Sequence, residues 1–467
     1  MSEELTRKSA AELLADLSAR QLSAAEMMQA TLARIEAVNG AVNAVVALRD
    51  PEVLMEEARA ADDGPVRGPL HGLPIAVKDL VNVAGIRSTQ GSPILRDFVP
   101  GRDDLIAARM RAAGAILIGK TNVPEFGLGS HTFNPVYGAT RNPYDPPLSC
   151  GGSSGGAAVA LATGMVALAD GSDMMGSLRN PAAWNNVYGF RPSWGRVPSE
   201  PMGDTFLHQL ATLGPMARSP EDLGILLDVI SGPDPRQPHG IEAAPVAPVR
   251  PADLRGRRIG WLGDWGGAFP MEAGILDQCL GALRVMEELG WVVEPVEPPF
   301  DAEAMWESWI TLRSWSVAAG LAPLADRRDQ LKDSARWELD RGLAMSAMEV
   351  HRASVIRSDW FRRAAELFDA FDALVLPAAQ VWPFDVDLPW PTEIAGRAMD
   401  TYHRWMQVVV PVSLIGLPCL AAPAGFGKNG LPMGVQMFGR RGSDADLLAI
   451  GAAWHEATGW PQRRPAM

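Results

Sequence analysis

The sequence predicts an α/β fold in which helices cover both faces of a large mixed, mostly parallel central sheet. Two segments carry this prediction, because in each a helical pattern is followed at once by a short apolar run. Residues 105–113 are predicted to form a helix that ends at Gly114, and residues 115–118 a buried strand. Residues 156–163 and 165–169 repeat this order. Strands that alternate with helices are typical of a parallel sheet covered on both faces.

The flanking segments fit the same architecture. Apolar residues recur at helical spacing over residues 10–35, which predicts N-terminal helices packed outside the main sheet. The Pro-rich residues 233–251 predict a surface connection, and a further strand is expected to begin at residues 259–262.

A long uncharged stretch, residues 405–426, reaches the length of a membrane-spanning helix. Pro411, Pro418 and Pro423 interrupt it, and proline breaks a continuous helix. We therefore expect this stretch to form buried strands joined by turns.

Composition favours a soluble cytoplasmic enzyme. The chain has 467 residues, of which 47% are hydrophobic and 21% charged, so it can bury a large core. Its net charge of −13 argues against nucleic acid or an anionic membrane as the main partner. The N-terminus lacks the continuous apolar segment of a signal peptide, so secretion is not indicated.

Cysteine and histidine usage points away from disulfides and metals. Cys150, Cys279 and Cys419 are odd in number and widely spaced, which favours a reducing compartment. The seven histidines form no His-x-x-x-His pair, and the chain has no Cys-x-x-Cys motif, so no zinc site is predicted. Cys150 is interpreted as a structural thiol, although it adjoins a Gly/Ser-rich run.

The chemistry-bearing feature of the chain is this run, GGSSGG at residues 151–156, which contains Ser153 and lies 24 residues before Ser177. Lys78 stands in the apolar segment LPIAVKD. Burial of a lysine penalises its ammonium form and can leave a neutral amine that accepts a proton. A serine hydroxyl becomes a nucleophile when such a base takes its proton, directly or through a second hydroxyl. Together the three residues have the parts of a nucleophilic hydrolase.

These motifs, with several others, resemble the amidase signature family. The resemblance spans most of the chain, and its further motifs are GLPIAVKDL at 72–80, GKTNVPEF at 119–126, GATRNP at 138–143, GFRP at 189–192, GLP at 416–418 and LPMGVQ at 431–436. It implies a Ser-cisSer-Lys triad, with Ser177 as nucleophile, Ser153 as bridging serine after a cis peptide bond from Gly152, and Lys78 as base.

The resemblance also implies the remaining parts of the enzyme. An oxyanion hole is expected from the backbone N–H groups of Met174, Met175, Gly176 and Ser177. The chain is expected to be a single amidase domain over residues 1–467. Within it lie an N-terminal helical region (1–65), a catalytic core (66–232) and a substrate-shaping part that completes the same sheet (252–467). The predicted reaction cleaves the C–N bond of a linear carboxamide without cofactor or metal.

One residue departs from the family pattern. The usual turn carries Gly-Gly-Ser, whereas this chain has Met175-Gly176-Ser177. If position 175 required a positive φ, the Met side chain would be strained by about 1–2 kcal/mol and the oxyanion hole distorted. Alternatively, Met174 and Met175 line one wall of the acyl pocket and narrow substrate choice. We favour the second interpretation.

Tryptophans suggest where the substrate binds. Eight of the fifteen lie between Trp306 and Trp405. Large aromatics commonly fill a core, but Trp306 and Trp309 near one helix, with Met174 and Met175, are the predicted substrate contacts. A hydrophobic or aromatic amide is the corresponding substrate.

Charged and polar neighbours of the triad are assigned supporting roles. Asp173 and Arg179 flank the nucleophile turn and are predicted to hold it, because buried charges are normally paired. Asp79 is predicted to orient the structure beside Lys78, and Ser154 to assist by hydrogen bonding.

Three alternatives stay open at this point. GGSSG also fits the nucleophile elbow of Ser/His/Asp α/β-hydrolases, with Ser153 as nucleophile, although the preceding segment is turn-like rather than a strand. A catalytically silent relative would bind in the cleft with its oxyanion hole closed by Met175. An amidase subunit of a tRNA-dependent amidotransferase would need partner subunits, and this acidic chain offers no basic tRNA-binding face. A small-molecule amide is the expected partner, and a homodimer is compatible with the sequence.

Overall fold

Helices and strands alternate along residues 2–467, the part of the chain that the computed structural model describes, with side chains from Glu4 onward. The helices are α1 (Ser2–Leu5), α2 (Ala10–Ser18), α3 (Ala24–Val42), α4 (Pro51–Asp63), α5 (Leu105–Ala112), α6 (Gly155–Ala162), α7 (Asn180–Trp184), α8 (Pro220–Ile230), α9 (Ile275–Glu288), α10 (Ala302–Leu321), α11 (Asp333–Leu343), α12 (Ala347–Leu367), α13 (Val410–Ile415) and α14 (Asp444–Thr458). Short 3-10 segments lie at Pro93–Leu95, Glu125–Gly127, Ala322–Gln330, Arg404–Val409 and Trp460–Gln462.

The strands contribute to two main sheets and two short hairpins. They are β1 (Val45–Val46), β2 (Pro74–Lys78), β3 (Ile116–Thr121), β4 (Phe133–Asn134), β5 (Gly138–Ala139), β6 (Leu168–Asp173), β7 (Tyr188–Arg191), β8 (Thr212–Ala217), β9 (Arg258–Trp261), β10 (Val292–Pro295), β11 (Ala373–Pro377), β12 (Glu393–Ile394), β13 (Arg397–Ala398), β14 (Cys419–Phe426) and β15 (Pro432–Phe438).

The central sheet has eight strands in the order β10-β9-β11-β15-β14-β7-β8-β6. Its β10–β9 and β9–β11 pairs are parallel, and the other five pairs are antiparallel. The mixed α/β architecture is confirmed, but the expectation of a mostly parallel sheet is wrong. The reason is visible at β14 and β15, which only residues 427–431 separate. A connection this short joins antiparallel strands, whereas parallel strands need a crossover of about a dozen residues or more.

A smaller sheet, in the order β1-β3-β2, brings the lysine motif to the central sheet. Strands β2 and β3 are parallel, and Lys78 is in register with Thr121. The backbone N–H of Lys78 donates to Asp170 Oδ1 of β6 at 2.9 Å. The end of β2 is therefore fixed against the central sheet.

The predicted N-terminal helices are confirmed as α2 and α3. Ser9 caps α2, and its side chain and that of Glu12 form a reciprocal capping box. Ser23 and Glu26 do the same for α3. Each capping box satisfies two backbone N–H groups that a helix start leaves without partners.

Both helix-then-strand units are present, with shifted boundaries. Helix α5 and strand β3 form the first unit, and α6 and β6 form the second. Strand β6 begins at Leu168 rather than at residue 165, because residues 163–167 turn away from α6 with Gly164 at a φ of 76°. Residues 233–251 contain neither helix nor strand, as predicted for a connection.

The uncharged stretch of residues 405–426 differs from its prediction. Only its last part is a strand, β14, whereas residues 410–415 form helix α13. Pro411 lies in the first turn of α13, where its missing N–H breaks no helical hydrogen bond. Gly416, at a φ of 65°, ends the helix. Across residues 2–467, no helix combines the length and apolar character needed to cross a membrane.

Candidate active site

A cavity of about 270 Å³ lies beside the turn that follows β6. Helix α10 and the 3-10 segment Glu125–Gly127 contribute to its walls. Its lining residues are Leu80, Gln90, Phe126, Gly127, Leu128, Gly129, Ser153, Ser172, Met174, Met175, Ser177, Ala211, Arg313, Val317, Gly320, Leu321 and Met406. Most of these are apolar, and two predicted catalytic serines are among them.

Lys78 ends β2 and is only 1% exposed. Its Nζ lies 2.9 Å from Ser153 Oγ, 2.8 Å from Ser154 Oγ and 2.9 Å from Ser172 Oγ. Burial lowers the pKa of Lys78 to about 7, although the nearby carboxylates of Asp170 and Asp173 favour the ammonium and oppose this shift. A large fraction of the lysine is therefore a neutral amine at neutral pH, in contact with the Ser153 hydroxyl.

Ser153 is held in the Gly/Ser run just before α6, and the Gly152–Ser153 peptide bond is cis. The glycines of the run allow neighbouring segments to approach closely. A Cβ on Gly155 would lie 2.2 Å from Thr132 Oγ1, and one on Gly156 would lie 2.3 Å from the backbone N of Asn122. This packing fixes the loop that carries Ser153 against the smaller sheet.

Ser177 lies in the turn between β6 and α7 and is 7% exposed. It lines the same cavity as Ser153. The hydrogen bonds of the described residues include the Lys78–Ser153 contact but none between the Ser153 and Ser177 hydroxyls. The structure thus brings the lysine and Ser153 into direct contact, and places Ser177 on the wall of the cavity that Ser153 also lines.

The backbone of the turn before Ser177 shows whether Met175, which replaces a glycine of the family pattern, is strained. Gly176 has a φ of 79°, and Met175 does not belong to the residues with positive φ. The condition for strain at Met175, a positive φ, is therefore not met, in agreement with the favoured alternative. A Cβ on Gly176 would lie 2.9 Å from Val409 Cγ1, so glycine is needed here for space as well as for conformation.

The four N–H groups expected to form the oxyanion hole are not equivalent. The N–H of Gly176 donates to Asp173 Oδ1 at 2.9 Å, which removes it from the expected set. Within residues 2–467, no protein acceptor is found for the N–H groups of Met174, Met175 and Ser177. These three N–H groups are therefore not used in hydrogen bonds within the protein.

Asp173 anchors this turn. Its carboxylate accepts hydrogen bonds from the Nε and Nη2 of Arg179 at 2.9 and 3.0 Å, and from Arg191 Nη1 at 3.1 Å. Although burial opposes ionisation, the two guanidinium groups hold the pKa of Asp173 well below its ordinary value. Arg179 in turn donates to Gln436 Oε1 at 2.6 Å and to Ser413 Oγ at 2.5 Å. The pairing predicted between Asp173 and Arg179 is present, and Arg191 joins it.

Replacing Asp173 with asparagine should lower the free energy of unfolding by about 3–5 kcal/mol, because it leaves two buried guanidinium groups without their carboxylate. Urea denaturation measures this difference. The matched control is Asp253→Asn, since Asp253 pairs with Arg255 in an exposed position that water and salt screen. The control should unfold at the wild-type midpoint. An Asp173 variant as stable as the control would contradict the anchoring role.

Other supporting residues occupy the predicted neighbourhood. Asp79 accepts a hydrogen bond from Thr89 Oγ1 at 2.6 Å and lies 3.8 Å from Lys120 Nζ. Ser154 contacts Lys78, as stated above, and does not line the cavity. Both contacts agree with structural roles beside the lysine.

The predicted substrate contacts divide into two groups. Met174 and Met175 line the cavity, in agreement with the acyl-pocket interpretation. Trp306 and Trp309 are buried in the hydrophobic core and are absent from the lining. Helix α10 instead presents Arg313, Val317 and Leu321 to the cavity, which the Trp-rich pattern did not indicate. The available signal was the spacing of these residues. Val317 and Leu321 follow Arg313 by four and eight positions, which places all three on one face of the helix.

Two further predictions concern alternative nucleophiles. Cys150 is buried, donates to Gly151 O at 3.4 Å and lies outside the cavity lining. Burial raises its pKa to about 12, so it is a thiol at neutral pH. His131 bonds Ser149 and the carbonyl of Val386, and no histidine in the described part of the chain hydrogen-bonds Ser153. The arrangement does not match the Ser/His/Asp elbow.

Comparison with known proteins agrees with this geometry. The family model described as Amidase matches residues 26–448. The chain is 32% identical to an acylamidase of Rhodococcus erythropolis over 98% of this chain and 97% of that protein. It is 33% identical to a glutamyl-tRNA(Gln) amidotransferase component of Chloroflexus aurantiacus over 97% of each chain.

Solved structures give the same result. The crystal structure of a bacterial aryl acylamidase of the amidase signature enzymes superposes with a TM-score of 0.90 and 31% identity, over 98% of this chain and 99% of that one. From the family model, the relatives and the fold, the chain belongs to the amidase signature family and is an amide-hydrolysing enzyme.

Proposed function

We propose that this enzyme hydrolyses the C–N bond of a linear, hydrophobic carboxamide through an acyl-enzyme on Ser177. The observation that carries the proposal is the 2.9 Å contact between Lys78 Nζ and Ser153 Oγ, at the wall of a cavity that Ser177 also lines. A buried neutral amine beside a hydroxyl is the arrangement that activates a serine for attack.

The first step is a proton relay. Neutral Lys78 takes the proton of Ser153, and Ser153 takes the proton of Ser177 as Ser177 Oγ attacks the amide carbonyl. The two hydroxyls come into hydrogen-bond contact when substrate fills the cavity, since catalytic hydrogen bonds often tighten only in the complex. The products of this step are a tetrahedral oxyanion and a Lys78 ammonium.

The second step collapses the oxyanion. The N–H groups of Met174, Met175 and Ser177 are available to donate to it. Each such donor can contribute about 2.7–4 kcal/mol to stabilisation of the transition state. The proton held by Lys78 returns through Ser153 to the amide nitrogen, which leaves as ammonia or an amine. Water then attacks the acyl-enzyme by the same relay and releases the carboxylate.

The cavity supports a hydrophobic substrate. Its volume of about 270 Å³ suits a small organic amide, and Leu, Met, Phe and Val side chains form about half of its lining. The aryl acylamidase and acylamidase relatives support the same substrate class.

A second candidate is the glutamine-hydrolysing component of a tRNA-dependent amidotransferase, which the 33% identity to the Chloroflexus aurantiacus protein favours. Free glutamine carries an ammonium and a carboxylate, each of which needs a partner when buried. Arg313 is the charged residue of the cavity lining, and its guanidinium already pairs with Glu338. We therefore place a neutral amide first. Ammonia release from glutamine that exceeds hydrolysis of an anilide would reverse this order.

Labelling with a fluorophosphonate tests the nucleophile. We expect a covalent adduct on Ser177, located by peptide mass spectrometry, and its loss in Lys78→Ala, because the relay then lacks its base. Lys428→Ala is the matched control, since Lys428 is exposed and belongs to none of the site's motifs. An adduct on Ser153 would favour the elbow mechanism, and the absence of any adduct would favour a silent binding protein.

A further inference from the structure

One residue of the cavity wall, Arg313, differs from its surroundings and has no role in the proton relay. It lies on α10, is 3% exposed and reaches the cavity beside Met174 and Val317. The polar groups of the wall are otherwise the three serines and Gln90. A buried guanidinium in an apolar wall carries a large desolvation penalty, so each of its N–H groups needs an acceptor.

Two of the five N–H groups of Arg313, one on Nε and one on Nη2, donate to residues outside the cavity lining. Nε donates to Glu338 Oε1 at 2.7 Å, and Nη2 donates to Tyr402 OH at 2.8 Å. Tyr402 OH donates to the same carboxylate oxygen at 2.7 Å, and Ser314 Oγ donates to the other at 2.6 Å. The guanidinium plane is therefore held in one orientation, and its charge is balanced by Glu338.

The remaining nitrogen, Nη1, faces a weak acceptor. It lies 3.3 Å from Met174 Sδ, the side chain that forms the neighbouring part of the wall. A thioether sulfur accepts hydrogen bonds poorly. An oxygen placed there by a bound substrate would replace a weak N–H···S contact with a charge-assisted hydrogen bond, which is among the stronger polar contacts in proteins.

We propose that Arg313 Nη1 donates a hydrogen bond to a neutral acceptor oxygen in the acyl part of the substrate, and that the enzyme prefers amides whose apolar acyl group carries such a carbonyl. This inference rests on the proposed function. The acceptor is neutral because Glu338 already balances the guanidinium, and no other cation lines the described cavity. An acyl carboxylate would enter this apolar site without a counter-charge of its own.

The test compares hexananilide with three analogues that carry a ketone on the third, fourth or fifth carbon of the acyl chain. In the wild-type enzyme, kcat/KM for the best ketone should exceed that of hexananilide by about tenfold to a hundredfold, the range expected for a hydrogen bond to a charged donor. The monoanilide of adipic acid, which carries a carboxylate instead, should be hydrolysed more slowly than the best ketone.

Variants assign this preference to Arg313. Arg313→Met should bring the ketone-to-hexananilide ratio to about one, and the ratio is internal to each enzyme, so a general loss of activity cancels. Because Arg313→Met leaves the Glu338 carboxylate buried and unpaired, the double variant Arg313→Met with Glu338→Gln is measured as well. Met174→Leu is the matched control, since it changes the same wall but keeps the donor. Its ketone preference should persist.

The outcomes separate this inference from the function on which it rests. Two results would show that Arg313 does not bind the acyl oxygen. In one, wild-type enzyme hydrolyses all the anilides with no ketone preference, and in the other, the preference survives in the double variant. A preference for the adipic monoanilide over every ketone would replace the neutral acceptor with an anion and overturn the proposal. If none of the anilides is hydrolysed and Ser177 takes no fluorophosphonate, the proposed function fails, and this inference fails with it.

Discussion

Replacing Ser177 with alanine should lower kcat for amide hydrolysis by about 10⁴–10⁶-fold, the loss typical of an enzyme deprived of its nucleophile. The change removes only Oγ, and Ser177 is 7% exposed in a turn that Asp173 and Arg179 hold by other atoms. The variant should therefore fold normally and still bind substrate. Steady-state turnover of an anilide, with thermal unfolding measured in parallel, checks both expectations.

The neighbouring hydroxyls provide the comparison. Ser154 contacts Lys78 at 2.8 Å but does not line the cavity, so Ser154→Ala should retain far more activity than Ser177→Ala. Ser153→Ala breaks the relay and should resemble Ser177→Ala in its effect. A Ser177→Ala enzyme that keeps more than a few per cent of wild-type turnover would mean that another group attacks the amide.

Local patterns in the sequence were sufficient for much of the fold. The helical spacing of apolar residues over residues 10–35 predicted α2 and α3, and α5 ends at Ala112, close to the end predicted at Gly114. Local sequence patterns did not show whether neighbouring strands pair in parallel or antiparallel. The β14–β15 pair is antiparallel because its connection is short, but only the complete strand order shows that such pairs outnumber the parallel ones.

The candidate site, like the fold, could be predicted only in part from the sequence. The motifs predicted Lys78 and Ser153, which lie in contact although 75 residues separate them. Arg313 was missed because no motif contains it, and its partners Glu338, Tyr402 and Met174 lie 25, 89 and 139 residues away. Arg191 stood in the GFRP motif but was given no role, because its pairing with Asp173 is visible only in the fold. Met175 shows that the residue type alone does not establish whether the backbone is strained. The residue type raised a question of strain, and only the backbone conformation, with positive φ at Gly176 instead, answered it.

Activity should fall as the pH drops below about 7, by about tenfold per pH unit, because the relay requires the neutral amine of Lys78. Burial lowers the pKa of Lys78 to about 7, so below this pH the lysine is increasingly an ammonium and cannot accept the Ser153 proton. Above it the neutral form dominates and kcat should reach a plateau. The measurement is kcat for an anilide over a pH series that spans this pKa, at constant ionic strength.

Other titratable groups near the site could also lower activity at acidic pH, and they must be excluded before the acid limb is assigned to Lys78. Burial lowers the pKa of His131 to about 4 and that of His403 well below its ordinary value, so neither accounts for a limb near pH 7. Lys332 is the other group that could produce this limb. Burial lowers its pKa to about 8, and its Nζ donates a hydrogen bond to the carbonyl of Leu128 on the cavity wall. Lys332→Met should leave the limb in place. Lys78→Met should remove most activity, by about 10⁴-fold, and what remains should lose the limb. A limb that survives without Lys78 and moves without Lys332 would transfer the role of base to the second lysine.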